Sequence, residues 1–176
     1  GVPQPDGSVA YRLDFGTIMM GSDGKLTMTL NGANDWLSID ATGFKIEEMK
    51  SKDGGIMFVT APNPDGVMMS AYFERVRDVA SAADCRNFYF PRALKSPGKK
   101  QNARRKNDGK RALGAYTIVA EQGDLTLTQE NRNIYLFGAG HCADVHLSKV
   151  NFEPEKDGAA LERVTQSISL VPDQGL

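Results

Sequence analysis

Turn signals recur along this chain at intervals too short for most helices. GSDG (21–24), NGAND (31–35), DGG (53–55) and PNPDG (62–66) punctuate short runs of alternating or apolar residues. Asp-Gly supplies the positive φ, and Pro the preset φ, that tight turns require. Between two of them, KLTMTL places Leu26, Met28 and Leu30 on one side and Lys25, Thr27 and Thr29 on the other. That period of two marks a half-buried strand. Strands joined by connections this short lie antiparallel, because a parallel crossover needs about a dozen residues or more.

The same reading extends along the chain. Residues 43–76 form a three-stranded meander through GFKIEEMKSK, IMFVTA and VMMSAYFERV. The methionines of VMMSAYF read as core, with an adaptable binding surface as the alternative. In SAADCRNFYF, Ser81 is a helix N-cap with Asp84 three residues on, close to a capping box. Ala82, Cys85, Phe88 and Tyr89 share a helical face, and Pro91 is expected to kink or end the segment. Residues 113–153 read as three or four consecutive strands, with EQGD and ENRN as turns and GAG (138–140) as a bend or turn. Leu161, Val164 and Ile168 make a final helical stripe, with Asp157 capping its start and Pro172 as its stop. Trp36 is expected to pack against a sheet edge or cap the core, the alternative being a ligand-stacking platform.

The expected architecture is α+β: one antiparallel sheet of about six to seven strands, sandwiched between helices in α/β/α layers. Residues 1–24, Pro- and Gly-rich at their start, read as an N-terminal arm, and 25–172 as one domain. A chain of 176 residues suits one domain. With a net charge of -1, nucleic acid is not an expected partner. No apolar run approaches the ~18 residues of a membrane helix. The first residues, GVPQPDGSVAYRLDF, hold neither the basic nor the apolar region of a signal peptide. The expectation is a leader already removed, hence a periplasmic or extracellular protein.

Two stretches carry candidate chemistry. KSPGKKQNARRKNDGKR (95–111) holds eight Lys or Arg, one Asp, and no apolar residue but Ala103. It reads as a solvated surface loop, with a patch for an acidic protein or ligand as the functional reading. Lys99, Lys100, Arg104, Arg105 and Lys106 are the candidate contacts. GHCADVHLSKV (140–150) gathers Cys142, Asp144 and the chain's two histidines, His141 and His146. On a strand, Cys142, Asp144, His146 and Ser148 share one face, and His141, Ala143, Val145 and Leu147 the other. The histidines therefore point apart, and Cys142 and His146 lie about 13 Å apart along the strand. That is too far to share a zinc ion. Asp144 and His146 can supply two ligands or an acid–base pair only with help from neighbouring strands. Cys85 and Cys142 permit one disulfide without demanding it, two buried thiols being the alternative. A helix stripe and a sheet strand that meet in one packed layer bring them together, and a bridge implies an oxidising compartment.

The order of KLTMTL, GFKIEE, the meander ending in GVMMSAYFE, the Ser-capped helix, DVHLSKVNF and LERVTQSISL resembles PsbP-like domains, over roughly Lys25 to Leu170. That fold is named for an extrinsic subunit of photosystem II and includes a Ran-binding import factor. The resemblance implies an antiparallel sheet between helices and work by binding other macromolecules, with no shared catalytic constellation to carry over. The expectation is thus a non-enzymatic binding or assembly module of the bacterial periplasm or cell envelope, with no cofactor. The alternative is a metal-dependent or hydrolytic enzyme using Asp144 and His146.

Overall fold

The computed structural model describes residues 1–172. The chain forms two stacked antiparallel sheets. The first is built from β1 (Val2–Pro3), β2 (Val9–Arg12), β3 (Gly16–Met20), β4 (Lys25–Leu30), β5 (Asp35–Asp40) and β13 (Ser169–Pro172), in that spatial order. The second runs β6 (Ile46–Lys52), β7 (Gly55–Thr60), β8 (Val67–Arg75), β12 (His141–Val150), β11 (Leu125–Gly138), β10 (Arg111–Gln122), β9 (Lys99–Asp108). Helix α1 (Ala82–Lys95) packs on the outer face of β10, β11 and β12. Helix α2 (Pro154–Ser167) lies beside the first sheet, against β5.

Alternation sets the layers. Leu26, Met28 and Leu30 of β4 all enter the core. With Ile18, Leu37 and Ile39 they meet Ile56, Phe58, Met69, Phe73, Val145 and Leu147 of the second sheet, and α2 closes this core with Leu161, Val164 and Ile168. A smaller core lies on the other face of the second sheet, where Cys85 and Phe90 of α1 pack on Ala112, Tyr116, Tyr135 and Cys142.

The α+β class stands, but the layering is not one sheet between helices. Residues 2–40, joined by Ser169–Pro172, build a separate sheet, whose apolar face takes the place expected of a helix. The expected arm is part of it: Val9–Arg12 pairs with Thr17–Met20, and Gly16–Met20 with Leu26–Leu30. Ala10 and Ile18 are buried there. The segment 95–111 is likewise not a loop, since β9 pairs with β10 from Lys99 to Asp108 around an irregularity near Asn102. Its order comes from the backbone ladder, which a composition argument about apolar side chains does not register.

ENRN is not a turn either. It lies inside the 14-residue β11, and its polar side chains are met within the sheet, Asn131 by His146, Asn133 by Asp144 and Glu130 by Arg104. Helix α1 runs through Pro91 to Lys95. The proline removes one backbone donor, and packing of Phe90, Ala93 and Leu94 on the sheet outweighs that loss. Gly114 makes this packing possible, because a Cβ there would sit 2.6 Å from the Phe90 ring.

The helix ends follow their capping chemistry. Ser81 Oγ accepts from the Asp84 N–H, and Asp84 accepts from the Ala80 N–H. Asp157, inside α2, reaches back to accept from the Glu153 N–H. Helix α2 ends at Ser167, short of Pro172, and has no basic residue in its last turn. Arg111 of β10 fills that role, donating to the carbonyls of Thr165 and Ile168. Cations at helix C-termini stabilise them. Arg111→Ala should lower unfolding stability by about 1–2 kcal/mol, read by chemical denaturation, and an unchanged midpoint would remove Arg111 from this role.

Candidate functional site

Strand β12 of the second sheet carries the residues of HCADVHLSKV. Cys142, Asp144, His146 and Ser148 of β12 face the α1 side, whereas His141, Ala143, Val145 and Leu147 face the first sheet. His141 Nε2 lies 3.6 Å from Asp35 Oδ2 on β5, and the ring sits edge-on to Phe73. The two histidines are on opposite faces. Burial lowers the His141 pKa, against the pull of Asp35.

Cys85 and Cys142 form a disulfide with Cα atoms 5.8 Å apart. It pins the first turn of α1 to β12. One turn on, Tyr89 stacks parallel to Tyr135 and donates its hydroxyl to Glu74 Oε1, while Tyr72 donates to Glu74 Oε2. Burial foremost, and then Glu74, push the Tyr89 hydroxyl far above its ordinary pKa.

Asp144 and His146 do not converge on a common target. Asp144 Oδ1 accepts from Asn133 Nδ2 at 2.9 Å, and His146 Nε2 is 2.8 Å from Asn131 Oδ1. Burial raises the Asp144 carboxyl to about 6, against the hydrogen bond from Asn133, and lowers the His146 imidazole to about 4. Both environments therefore favour the neutral form. The strands beside Asp144 present Tyr72 and Tyr135 at its level, and Glu74, opposite Cys142 on the same face, accepts from Tyr72 and Tyr89. Among the described residues no group of three His, Cys, Asp or Glu has metal-holding geometry.

The basic residues are gathered on β9, at one edge of the second sheet. They divide between its faces. Lys99, Arg104 and Lys106 pair in register with Val119, Ala115 and Leu113, on the α2 side. Lys100 and Arg105 are on the α1 side, where Arg105 lies over the Phe90 ring at 4.8 Å. Lys100 Nζ donates to the carbonyls of Ser96 and Pro97. Arg104 grips the buried Glu130 through two 3.0 Å hydrogen bonds, and Arg132 reaches the same carboxylate at 3.7 Å. Lys99 and Lys106 make no ion pair among the described residues and are exposed. Between β9–β11 and α2 runs a groove of about 300 Å³, floored by Leu113, Ala115 and Ile134 and rimmed by Arg104, Lys106 and Arg132, with Glu162 opposite.

Three supporting residues were not singled out from the sequence. Arg86, buried on α1, donates to the carbonyls of Lys106 and Leu113 and to Asn107 Oδ1. It ties the helix to the backbone of β9. Its position between Ala82 and Phe90, four residues from each, puts it on the stripe facing the sheet. Glu130 and Arg111 lay in stretches read as turn and loop.

No family model and no curated protein matches the chain. Among solved structures, it is similar to cyanobacterial PsbP (CyanoP) of Synechocystis sp. PCC 6803, with 12% identity, covering 97% of this chain and 96% of that one at a TM-score of 0.47. It is also similar to LpqN of Mycobacterium tuberculosis, involved in cell envelope biogenesis, with 9% identity, covering 97% and 88% at a TM-score of 0.42. No helix among the described residues is long and apolar enough to cross a membrane.

Proposed function

We propose that this chain is a non-enzymatic binding or assembly module of the periplasm or cell envelope, and that it meets an acidic partner through β9 and its flanks. The observation that carries the reading is a division of charge. Residues 95–111 hold eight Lys or Arg and one Asp, a formal +7 within a chain of net charge -1, so the remainder carries -8. This positive segment is mostly exposed and ordered on a sheet edge. A field of that shape attracts and orients an acidic surface. The disulfide supports the compartment, because such bonds persist where the surroundings are oxidising. Against catalysis by Asp144 and His146 stands their commitment to two asparagines, with both groups held towards neutrality.

Poly-glutamate is a direct probe. It should bind the oxidised protein, with affinity falling about tenfold or more between roughly 0.05 and 0.2 M salt as screening shortens the reach of exposed charges. Lys99→Glu with Lys106→Glu should abolish binding while leaving the melting temperature unchanged, because both side chains are exposed and outside any ion pair among the described residues. Salt-independent binding, or binding indifferent to these two substitutions, would reject β9 as the contact surface.

A further inference from the structure

The charge on β9 says what sign of partner it meets, and the geometry of the strand says in what form. We propose that β9 is a docking edge for an extended acidic segment of a partner protein, which adds to the second sheet as its eighth strand. The inference rests on the acidic-partner reading above and specifies its mode.

Three observations carry it. First, among the described residues β9 pairs with β10 and with no other strand, so its far side offers backbone groups with no strand to pair with. Pairing is uninterrupted from Arg104 to Asp108, which gives a regular stretch for a further ladder. Arg86 holds that stretch from beneath through the Lys106 carbonyl and Asn107, so the edge is ordered before anything binds. An ordered edge costs less to engage than a loop that must be fixed on binding.

Second, the cations stand on both faces of the strand, Lys99, Arg104 and Lys106 on one and Lys100 and Arg105 on the other. A flat anionic surface laid against either face meets only part of the set. A strand laid alongside β9 projects its own side chains alternately to both faces, so its carboxylates meet both groups as cross-strand neighbours.

Third, the opposite edge of the same sheet shows what edge protection alone requires. Lysine on an exposed edge is an ordinary guard against unwanted pairing. Strand β6 carries Glu47, Glu48, Lys50 and Lys52, with Lys50 bonded to Glu48 at 3.0 Å. Its charges balance, whereas β9 carries five cations and one acid over ten residues. Single-sign charge repels another copy of β9 and selects an acidic strand, which is the combination that specificity asks for. Balanced β6 offers no complement, so the occupant is not a second copy joined through that edge.

The test uses the full oxidised chain and a fluorescent peptide of Glu-Glu-Val repeats, as long as β9. Its twin carries N-methyl groups on every Val. Because Val recurs at every third position, these methyls fall on both edges of the extended peptide and block ladder formation while the charge stays the same. Anisotropy should give binding of the parent and at least about tenfold weaker binding of the twin, and the parent should slow hydrogen exchange of amides within 99–108. Equal affinity for both peptides would overturn strand addition and leave the acidic-partner reading standing. No binding of either would overturn both. Binding of phosphatidylglycerol vesicles under conditions where the parent peptide does not bind would overturn strand addition in favour of a lipid surface.

Discussion

Breaking the Cys85–Cys142 bond should lower the stability of this protein by about 4 kcal/mol, the value for a cross-link spanning 57 residues when chain entropy governs the effect. For a chain of this length that is a fall in melting temperature on the order of 10 °C. The location sharpens the expectation. The bridge lies in the smaller core, which holds α1 to the second sheet through few large side chains, chiefly Phe90, Tyr116 and Tyr135. Reduction therefore loosens α1 first. Since Arg86 links α1 to β9, hydrogen exchange across 99–108 should accelerate in the reduced protein more than exchange in β4 or β7. Calorimetry with and without reductant, and on Cys85→Ala with Cys142→Ala, checks the magnitude. Identical melting curves for the oxidised and reduced forms would refute it.

Replacing Asp144 with Asn should stabilise the protein at pH 8 and hardly at all near pH 4. The sign follows from linkage. Burial raises the folded-state pKa of Asp144 to about 6 from 3.8, so the folded state favours the protonated carboxyl. Its stability contribution is fully present below the unfolded value and is lost as pH rises through about 6. Above that, wild type carries a buried carboxylate with one hydrogen bond from Asn133, a penalty of about 2 kcal/mol after allowance for its partial exposure. In the Asp144→Asn variant the amide would retain the neutral shape and the contact with Asn133. His146, lowered to about 4 by burial, titrates in the opposite sense: its stability contribution is present above 6.5 and lost as pH falls towards 4. It is common to both proteins and cancels in the difference. Urea midpoints of the two proteins across pH 4 to 8 measure the effect. A gap that is constant with pH, or a destabilised variant at pH 8, would contradict the burial of this carboxylate.

What the sequence disclosed depended on whether an element announced itself by its side chains. KLTMTL and the 43–76 meander did, because alternation and turn chemistry coincide there, and Ser81 with Asp84 marked the start of α1. The face assignment within GHCADVHLSKV was legible from strand geometry alone, including the divergence of the two histidines. Two kinds of element were not legible. Strand β9 contributes almost nothing to the core, so only its ladder with β10 reveals it. The polar run Glu130–Asn133 resembles a turn until Arg104, His146 and Asp144 are placed opposite it. The stacking of two sheets also escaped, because each strand of 9–40 shows which of its faces is apolar but not what that face packs against. The five cations were candidates by residue type alone, and their division between two faces of one strand required the register.

If β9 is the docking edge, an acidic partner is met there and not on the Asp144–His146 face. Amide chemical-shift mapping of the oxidised, isotope-labelled protein during titration with the Glu-Glu-Val peptide tests it most directly. Shifts should concentrate in residues 99–108 and in their partners on β10, with the amides of Asp144, His146, Asn131 and Asn133 unmoved. Shifts centred on those four residues, or none within 99–108 at saturating peptide, would contradict it.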